Sequence, residues 1–391
     1  MSYVGDGDYC SLGHLRGLNF TGWSLIVLVT IYYKWRSPTL NIGSYSVALS
    51  PILAVYSTLF YTDVWSTFFI FTSYIFALNP PFSSEFLSSL LASILGFVSV
   101  WFRQTNIVWN AFVAAAIVSR RAGVSAHSSS FLREAQQFVI CAFESAQLLV
   151  PFALNFGAFV AFVYWNGGIT VGDKQNHAVS IHLVQVFYCF TFMTGLSVPV
   201  WFSWKTVRQY VLRSVGSPTR FLWFLVEILL INFIIYKFTV VHPFILADNR
   251  HYTFYIWKRL IDRNTYSKYL LSPVYHFSTY VVQSSILRAN TPQRNLGKDL
   301  TTSGCGKIMA LVFTVCVLAT IVPSPLFEPR YYILPLSFWR LLVAQRPSLE
   351  EKWRQPAEFV YYISILTLLF GIFLKYEFSW ATETHPQRIL W

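Results

Sequence analysis

An all-α, polytopic membrane protein with about eleven transmembrane helices is what this sequence predicts, on three observations. The 391 residues are 55% hydrophobic and 19% aromatic but only 12% charged. Soluble domains carry roughly a quarter charged residues, so too little polar surface is present to cover a water-exposed globule. The apolar residues also come in continuous runs without strand-like alternation. A lipid-facing backbone must satisfy its hydrogen bonds within its own segment, which selects helices here. Finally, the basic residues behind a formal net charge of +12 cluster in short connections between the runs. That is where topology-setting charges belong, and it argues against nucleic acid as a partner.

A helix needs about 20 apolar residues to cross the hydrocarbon core. Spans are expected at 17–33, 43–61, 64–79, 86–102, 105–119, 146–165, 181–202, 221–240, 269–287, 307–323 and 357–375. The stretch 331–345 is ambiguous because Pro335 and Arg340 interrupt it. No soluble domain, repeat or long linker separates these runs, so residues 1–391 read as one integral membrane domain. Asp6, Asp8 and His14 stand where a signal peptide would be basic. Cys10, Cys141, Cys189, Cys305 and Cys316 are scattered, without metal-like spacing.

With strict alternation, one set of loops carries Lys34 and Arg36, then Arg120, Arg121 and Arg133, then Lys205, Arg208, Arg213 and Arg220. Arg288, Arg294, Lys298 and Lys307 complete it, and this set is expected to be cytosolic. The opposite loops are poor in cations; 166–180 has only Lys174. The loop 241–269 breaks the pattern with Arg250, Lys258, Arg259, Arg263 and Lys268 on the far side. Either later spans make those charges tolerable, or they meet an anionic ligand.

Ionisable groups close to a membrane are costly and become functional candidates. Arg103 and Gln104, in FRQTNIVW, fall in a short far-side connection. Arg103 either snorkels to the interface or takes a phosphate through two parallel hydrogen bonds. Asp63, in FYTDVWST, either caps the following helix or serves as a general base. Residues 247–259 set Asp248, Arg250 and His251 among aromatics, which suits a sugar or phosphate site and equally an interfacial belt. EPRYYILP contributes Glu328 and Arg330, a local ion pair or a further anion site. Asp6-Gly7-Asp8 is too short a match to a metal-binding DxD to carry weight, and the nucleotide-binding and hydrolase motifs are absent. Asn19-Phe20-Thr21 is a glycosylation sequon at a membrane edge, expected to be unused.

FRQTNIVW, NGGITVGDKQNH at 166–177, LADNRHYTFYIWKR at 246–259 and EPRYYILP at 328–335 occur in this order, with FYTDVWSTFF at 60–69 and the terminal Trp391. Together they resemble the endoplasmic-reticulum α-1,2-glucosyltransferase family of asparagine-linked glycosylation, which uses dolichyl phosphate glucose. The resemblance implies the C-type glycosyltransferase architecture in the endoplasmic reticulum membrane, with 241–269 as a lumenal loop. It also implies inverting transfer of the terminal glucose to the dolichyl-diphosphate oligosaccharide, with no metal or other cofactor. Carried onto this sequence, it suggests Asp63 and Asp248 as catalytic carboxylates and Arg103, Arg250 and Arg330 as donor-phosphate ligands. Gln104, His251 and Glu328 would contact sugar or organise loops. The family pattern begins with a further helix and a lumenal loop bearing an Asp-Glu pair; here MSYVGDGDYC runs almost directly into the span at 17–33. The alternative expectation is therefore a catalytically incomplete relative that binds dolichyl lipid or a protein. A transporter or channel is disfavoured because nearly all charges lie in loops.

Overall fold

A computed structural model describes residues 11–36, 44–122, 130–171, 179–288, 306–343, 349–380 and 386–389. Asp6, Asp8, Cys10, Lys174 with the second half of NGGITVGDKQNH, Arg294, Lys298, Cys305 and Trp391 lie outside the described residues. The described residues are mostly helical. Among the described residues, five helices are long and apolar enough to cross a membrane. They are α1 (Leu12–Arg36), α5 (Glu85–Phe102), α8 (Ala146–Asn166), α12 (Pro218–Phe238) and α19 (Leu349–Lys375).

Between α1 and α5, the expected span 43–61 is broken into α2 (Ser44–Ala48) and α3 (Pro51–Ser57). Pro51 lacks the N–H to continue a helix and biases Ser50 toward extended backbone, so it sits at the start of α3. α4 (Asp63–Leu78) follows. α5 lies against it and buries small side chains at four-residue spacing, Ser88, Ala92 and Gly96. Such residues let two helix backbones approach in a membrane. Ser73 Oγ donates to the Ala92 carbonyl at 2.6 Å, and a side chain at Gly96 would collide with the Asn110 amide of α6 (Asn106–Ala122). Asn155 of α8 closes the group by donating to Ser93 at 2.9 Å.

Two of the longer helices were not foreseen. α7 (Phe131–Glu144) and α11 (Trp204–Val215) are amphipathic, with apolar residues recurring every three to four positions among charged ones. A search for uninterrupted apolar runs passes over this pattern. Pro199 divides the expected span 181–202 in the same way, giving α9 (Val184–Leu196) and α10 (Val198–Trp201). After α12 the chain forms short helices α13 (Pro243–Ala247) and α14 (Tyr252–Ile256), then a π-turn at Trp257–Ile261. α15 (Ser267–Leu270), α16 (Ser272–Arg288) and α17 (Lys307–Ile321) follow.

The ambiguous 331–345 segment is a 3-10 turn, Pro329–Tyr332, leading into α18 (Ile333–Leu342). Pro335 is tolerated in the first turn of α18, where no helix hydrogen bond is lost. Arg340 is buried against Glu358 of α19, donating from Nη2 at 2.7 Å and from Nε at 2.9 Å. Ser46 of α2 donates to the same carboxylate at 2.7 Å. A fully buried pair of this kind does not by itself add stability, but losing one partner leaves a bare charge and costs about 3–5 kcal/mol. The two ends of α18 are thereby located: Arg340 meets the start of the α2–α3 unit, and Arg330 meets Tyr61 just beyond its end. The aromatic centre lies between these ends, with Phe338 stacked on Trp109 at 4.7 Å and edge-on to Tyr74 at 5.2 Å. A two-stranded hairpin, β1 (Glu377–Phe378) and β2 (Gln387–Arg388), follows α19.

Candidate functional site

Three chain turns converge where α3 gives way to α4, α5 to α6, and α17 to α18. Asp63 occupies the first position of α4, where a carboxylate is favoured by the helix dipole. It does not cap the helix; Thr62 is the flanking residue, and no side-chain cap bond forms. Its Oδ1 instead accepts from Nη1 of Arg103 in a close ion pair. Arg103 ends α5 in extended conformation and is held there by Asn106, whose amide donates to Ser66 Oγ at 2.8 Å and to the Ser99 carbonyl at 3.1 Å. The arginine is therefore a joint between helices and does not simply snorkel at an interface. Asp63 is only 2% exposed, and its second oxygen, Oδ2, has no hydrogen-bond partner among the described residues.

Arg330 enters from the 3-10 turn and forms an ion pair from Nε to Glu328, the local pairing that EPRYYILP suggested. Burial works against its charge, but Glu328, Tyr331 and Asp63 outweigh that and hold the guanidinium protonated more firmly than usual. Two rings brace the arginines. The Arg103 guanidinium lies 5.0 Å from the Tyr331 ring centre, and Arg330 lies 5.5 Å from the same ring. Arg330 also covers Tyr61 at 5.4 Å. Each arginine spends one nitrogen on a carboxylate, leaving the rest of its fork of five N–H donors. Gln104, half-buried in the α5–α6 turn, contributes its carbonyl to Ile107 N–H at 3.2 Å.

Asp248, Arg250 and His251 are assembled in a different place, between the 241–269 loop and the C-terminal hairpin. Asp248 Oδ1 accepts from the Arg250 backbone N–H at 2.9 Å and from Nε at 3.0 Å, and Oδ2 accepts from Nη2 at 2.7 Å. Burial alone would raise the Asp248 carboxyl; hydrogen bonds from Arg250 and the charges of His251 and Arg250 overcome this and hold it below its ordinary 3.8. The remaining Arg250 nitrogen, Nη1, donates to Gln387 at 3.3 Å, and the guanidinium lies 4.9 Å from the Trp380 ring centre. Trp380 Nε1 donates to Asn249 at 2.9 Å. His251 Nε2 stands 3.5 Å from Asp248 Oδ2.

Sequence reasoning thus found the ionisable members of both clusters and their local groupings, but neither the long-range pairing of Arg103 with Asp63 nor the bracing rings. Tyr61 and Tyr331 lie next to predicted residues, and that adjacency was the available signal. Trp380 and Gln387 carried none, because they reach the loop only through the folded hairpin. Among the described residues no group of three or more His, Cys, Asp or Glu could hold a metal.

A profile of the DIE2/ALG10 family matches residues 3–341. The chain is 43% identical over 374 residues to a Candida glabrata protein, a match covering 87% of this chain and 70% of that one. It is 38% identical over 414 residues to a Kluyveromyces lactis protein, covering 98% and 75% respectively. A human protein matches at 29% identity over 413 residues, 98% of this chain and 81% of its own length. All three relatives bear the name Dol-P-Glc:Glc(2)Man(9)GlcNAc(2)-PP-Dol alpha-1,2-glucosyltransferase. No solved structure matches.

Proposed function

The chain belongs to the DIE2/ALG10 family, and from that premise we infer that it is a dolichyl-phosphate-glucose-dependent α-1,2-glucosyltransferase. It moves glucose from dolichyl phosphate glucose to a dolichyl-diphosphate oligosaccharide in N-glycan precursor assembly. We further propose that it is a multi-pass protein of the endoplasmic reticulum membrane with the C-type architecture, its 241–269 loop facing the lumen. In that topology the hairpin shares the lumenal side, because Trp380 and Gln387 bond to Asn249 and Arg250. The 331–345 segment then crosses as well as the eleven apolar runs, which brings the end of α19 back to that side.

The donor phosphate is assigned to Arg103 and Arg330. The observation that carries this is the state of the guanidinium forks. Both arginines retain N–H groups and lie within 5.5 Å of the centre of one ring, Tyr331. The Arg250 fork is instead engaged at Nε, Nη1 and Nη2 by Asp248 and Gln387, so its part is to hold the loop. Guanidinium groups suit this work because they stay charged and meet phosphate oxygens in parallel pairs. As the bond from anomeric carbon to phosphate oxygen breaks, negative charge grows on the leaving dolichyl phosphate, and preorganised donors there stabilise the transition state.

Attack by the acceptor hydroxyl on the opposite face inverts the anomeric centre and releases a proton to a base. Of the two candidate carboxylates, Asp63 is the one with an oxygen lacking a partner, whereas both oxygens of Asp248 accept from Arg250. We therefore place Asp63 first as the base and Asp248 second. Glu328 holds Arg330, Gln104 belongs to the α5–α6 turn, and His251 stays with the loop that Asp248 and Arg250 organise. The test is transfer itself. This chain is expressed in cells lacking the terminal glucosyltransferase, and their lipid-linked oligosaccharides are sized. Appearance of the fully glucosylated species is expected; continued accumulation of the form one glucose short, with the protein in the membrane, would overturn the activity.

A further inference from the structure

Two buried side-chain amides reach toward the arginine pair from helices that carry none of its members. Asn19 of α1 is 1% exposed. Its Nδ2 donates to the Leu59 carbonyl at 2.6 Å and to the Tyr61 carbonyl at 2.7 Å. Those carbonyls belong to the turn between α3 and α4, which supplies the Tyr61 ring to Arg330 and sets Asp63 at the start of α4. Gln185 of α9 is fully buried on the other side. Its Nε2 donates to the Leu326 carbonyl at 2.5 Å, and its Oε1 accepts from the Tyr332 hydroxyl at 2.7 Å. Leu326 and Tyr332 flank the turn bearing Glu328, Arg330 and Tyr331.

Neither turn has the full hydrogen-bond ladder of an α-helix, so carbonyls at its edges take partners from elsewhere. A rigid amide on a neighbouring helix supplies one and also fixes where the turn sits. Asn19 bonds to two carbonyls two residues apart, and Gln185 bonds to both flanks of a five-residue segment. A single hydrogen bond would leave either turn free to pivot; two do not.

We propose that Asn19 and Gln185 are positioning residues for donor binding, holding the two turns at the separation that lays Arg330 over Tyr61 and, through Asp63, sets Arg103 beside Tyr331. This rests on the reading that these arginines take the donor phosphate. It also accounts for the sequon: the Asn19 nitrogen is buried and twice engaged, so Asn19-Phe20-Thr21 carries no glycan.

The experiment measures equilibrium binding of dolichyl phosphate glucose to the full chain in lipid nanodiscs, counting only monodisperse protein. Tyr332→Phe removes one hydroxyl and keeps the ring, so it tests the Gln185 clamp without emptying the core. It should weaken binding about threefold, and Gln185→Leu and Asn19→Leu about tenfold, the size expected for one and two buried hydrogen bonds. A purely structural role would lower the yield of folded protein while leaving the affinity of the remainder intact. In an Arg330→Ala background, Gln185→Leu should add less than about twofold, because the group it positions is gone. Unchanged affinity in all three folded variants overturns the proposal, as does an undiminished loss in the Arg330→Ala background. If Arg103→Ala and Arg330→Ala themselves bind as the parent does, the phosphate reading fails and takes this inference with it. If those two weaken binding and the amide variants do not, this inference alone fails.

Discussion

Arg103 and Arg250 are each an arginine paired with an aspartate beside an aromatic ring, yet they are built in opposite ways. Arg103 meets Asp63, a residue forty positions away at the start of another helix, and its ring, Tyr331, comes from a third turn. Arg250 meets Asp248 two residues away and turns its whole fork inward on that carboxylate and Gln387. The first arrangement draws separate helices to one point and keeps donors in reserve. The second closes a local turn and spends them. What separates a ligand seat from a structural staple here is which hydrogen-bonding groups remain after folding, since the residue types are the same.

Four outcomes break or sharpen this contrast. The largest is expected at the carboxylates. Asp63→Asn should lower the rate of transfer about a hundredfold or more, the usual worth of a general base, while Asp248→Asn stays within about threefold of the parent. Equal losses at both positions, measured as kcat with saturating donor, would erase the distinction. Next come the guanidinium groups. Arg103→Ala and Arg330→Ala should each raise the apparent donor KM at least about tenfold, in keeping with one charge-assisted hydrogen bond of about 1.5–3 kcal/mol. Arg250→Ala should raise it less than about threefold, and a rise matching Arg103→Ala would return Arg250 to the phosphate.

A smaller effect is expected at the staple. Trp380→Ala removes a cation–π contact worth about 0.5–1 kcal/mol and the hydrogen bond to Asn249. The hairpin at 377–388 should then be cut faster by protease in folded, lipid-embedded protein, with donor affinity unmoved. Unchanged cleavage would mean that the hairpin is held by other contacts. The smallest effect is one of pH. The Asp248 carboxyl is held below its ordinary 3.8, so its contribution to loop stability is fully present above that value. It is lost as pH falls through the lowered value. Protease protection of the hairpin should accordingly weaken only in strong acid; weakening between pH 5 and 7 would show that the Asp248 carboxylate does not govern the contact.

The long apolar runs were legible because a membrane imposes one requirement on composition along the whole segment. α1, α5, α8 and α19 each contain an expected span, and α12 covers 221–238 of the expected 221–240. Boundaries failed where a local residue outweighed composition: Pro51 and Pro199 divide two expected spans into pairs of helices. α7 and α11 were missed because an amphipathic helix signals itself by period, and Arg133, Lys205, Arg208 and Arg213, read as loop charges, sit on them. In the site, every ionisable member could be named from motifs. The bracing rings Tyr61 and Tyr331 and the clamping amides Asn19 and Gln185 could not, since a buried amide in an apolar run has no pattern that distinguishes it.

The sequence by itself determined that this protein is helical, is suited to a membrane, and belongs with the glucosyltransferases that use dolichyl phosphate glucose. These properties reside in composition, in the length of apolar runs and in long ordered motifs, all of which survive without knowledge of contacts. Only the tertiary structure decided which arginine keeps its donors, which carboxylate oxygen is left bare, and which residues hold the turns together. Those are matters of hydrogen-bond partners between positions 40 to 147 residues apart, and a buried polar group takes its character from the partners that folding brings to it.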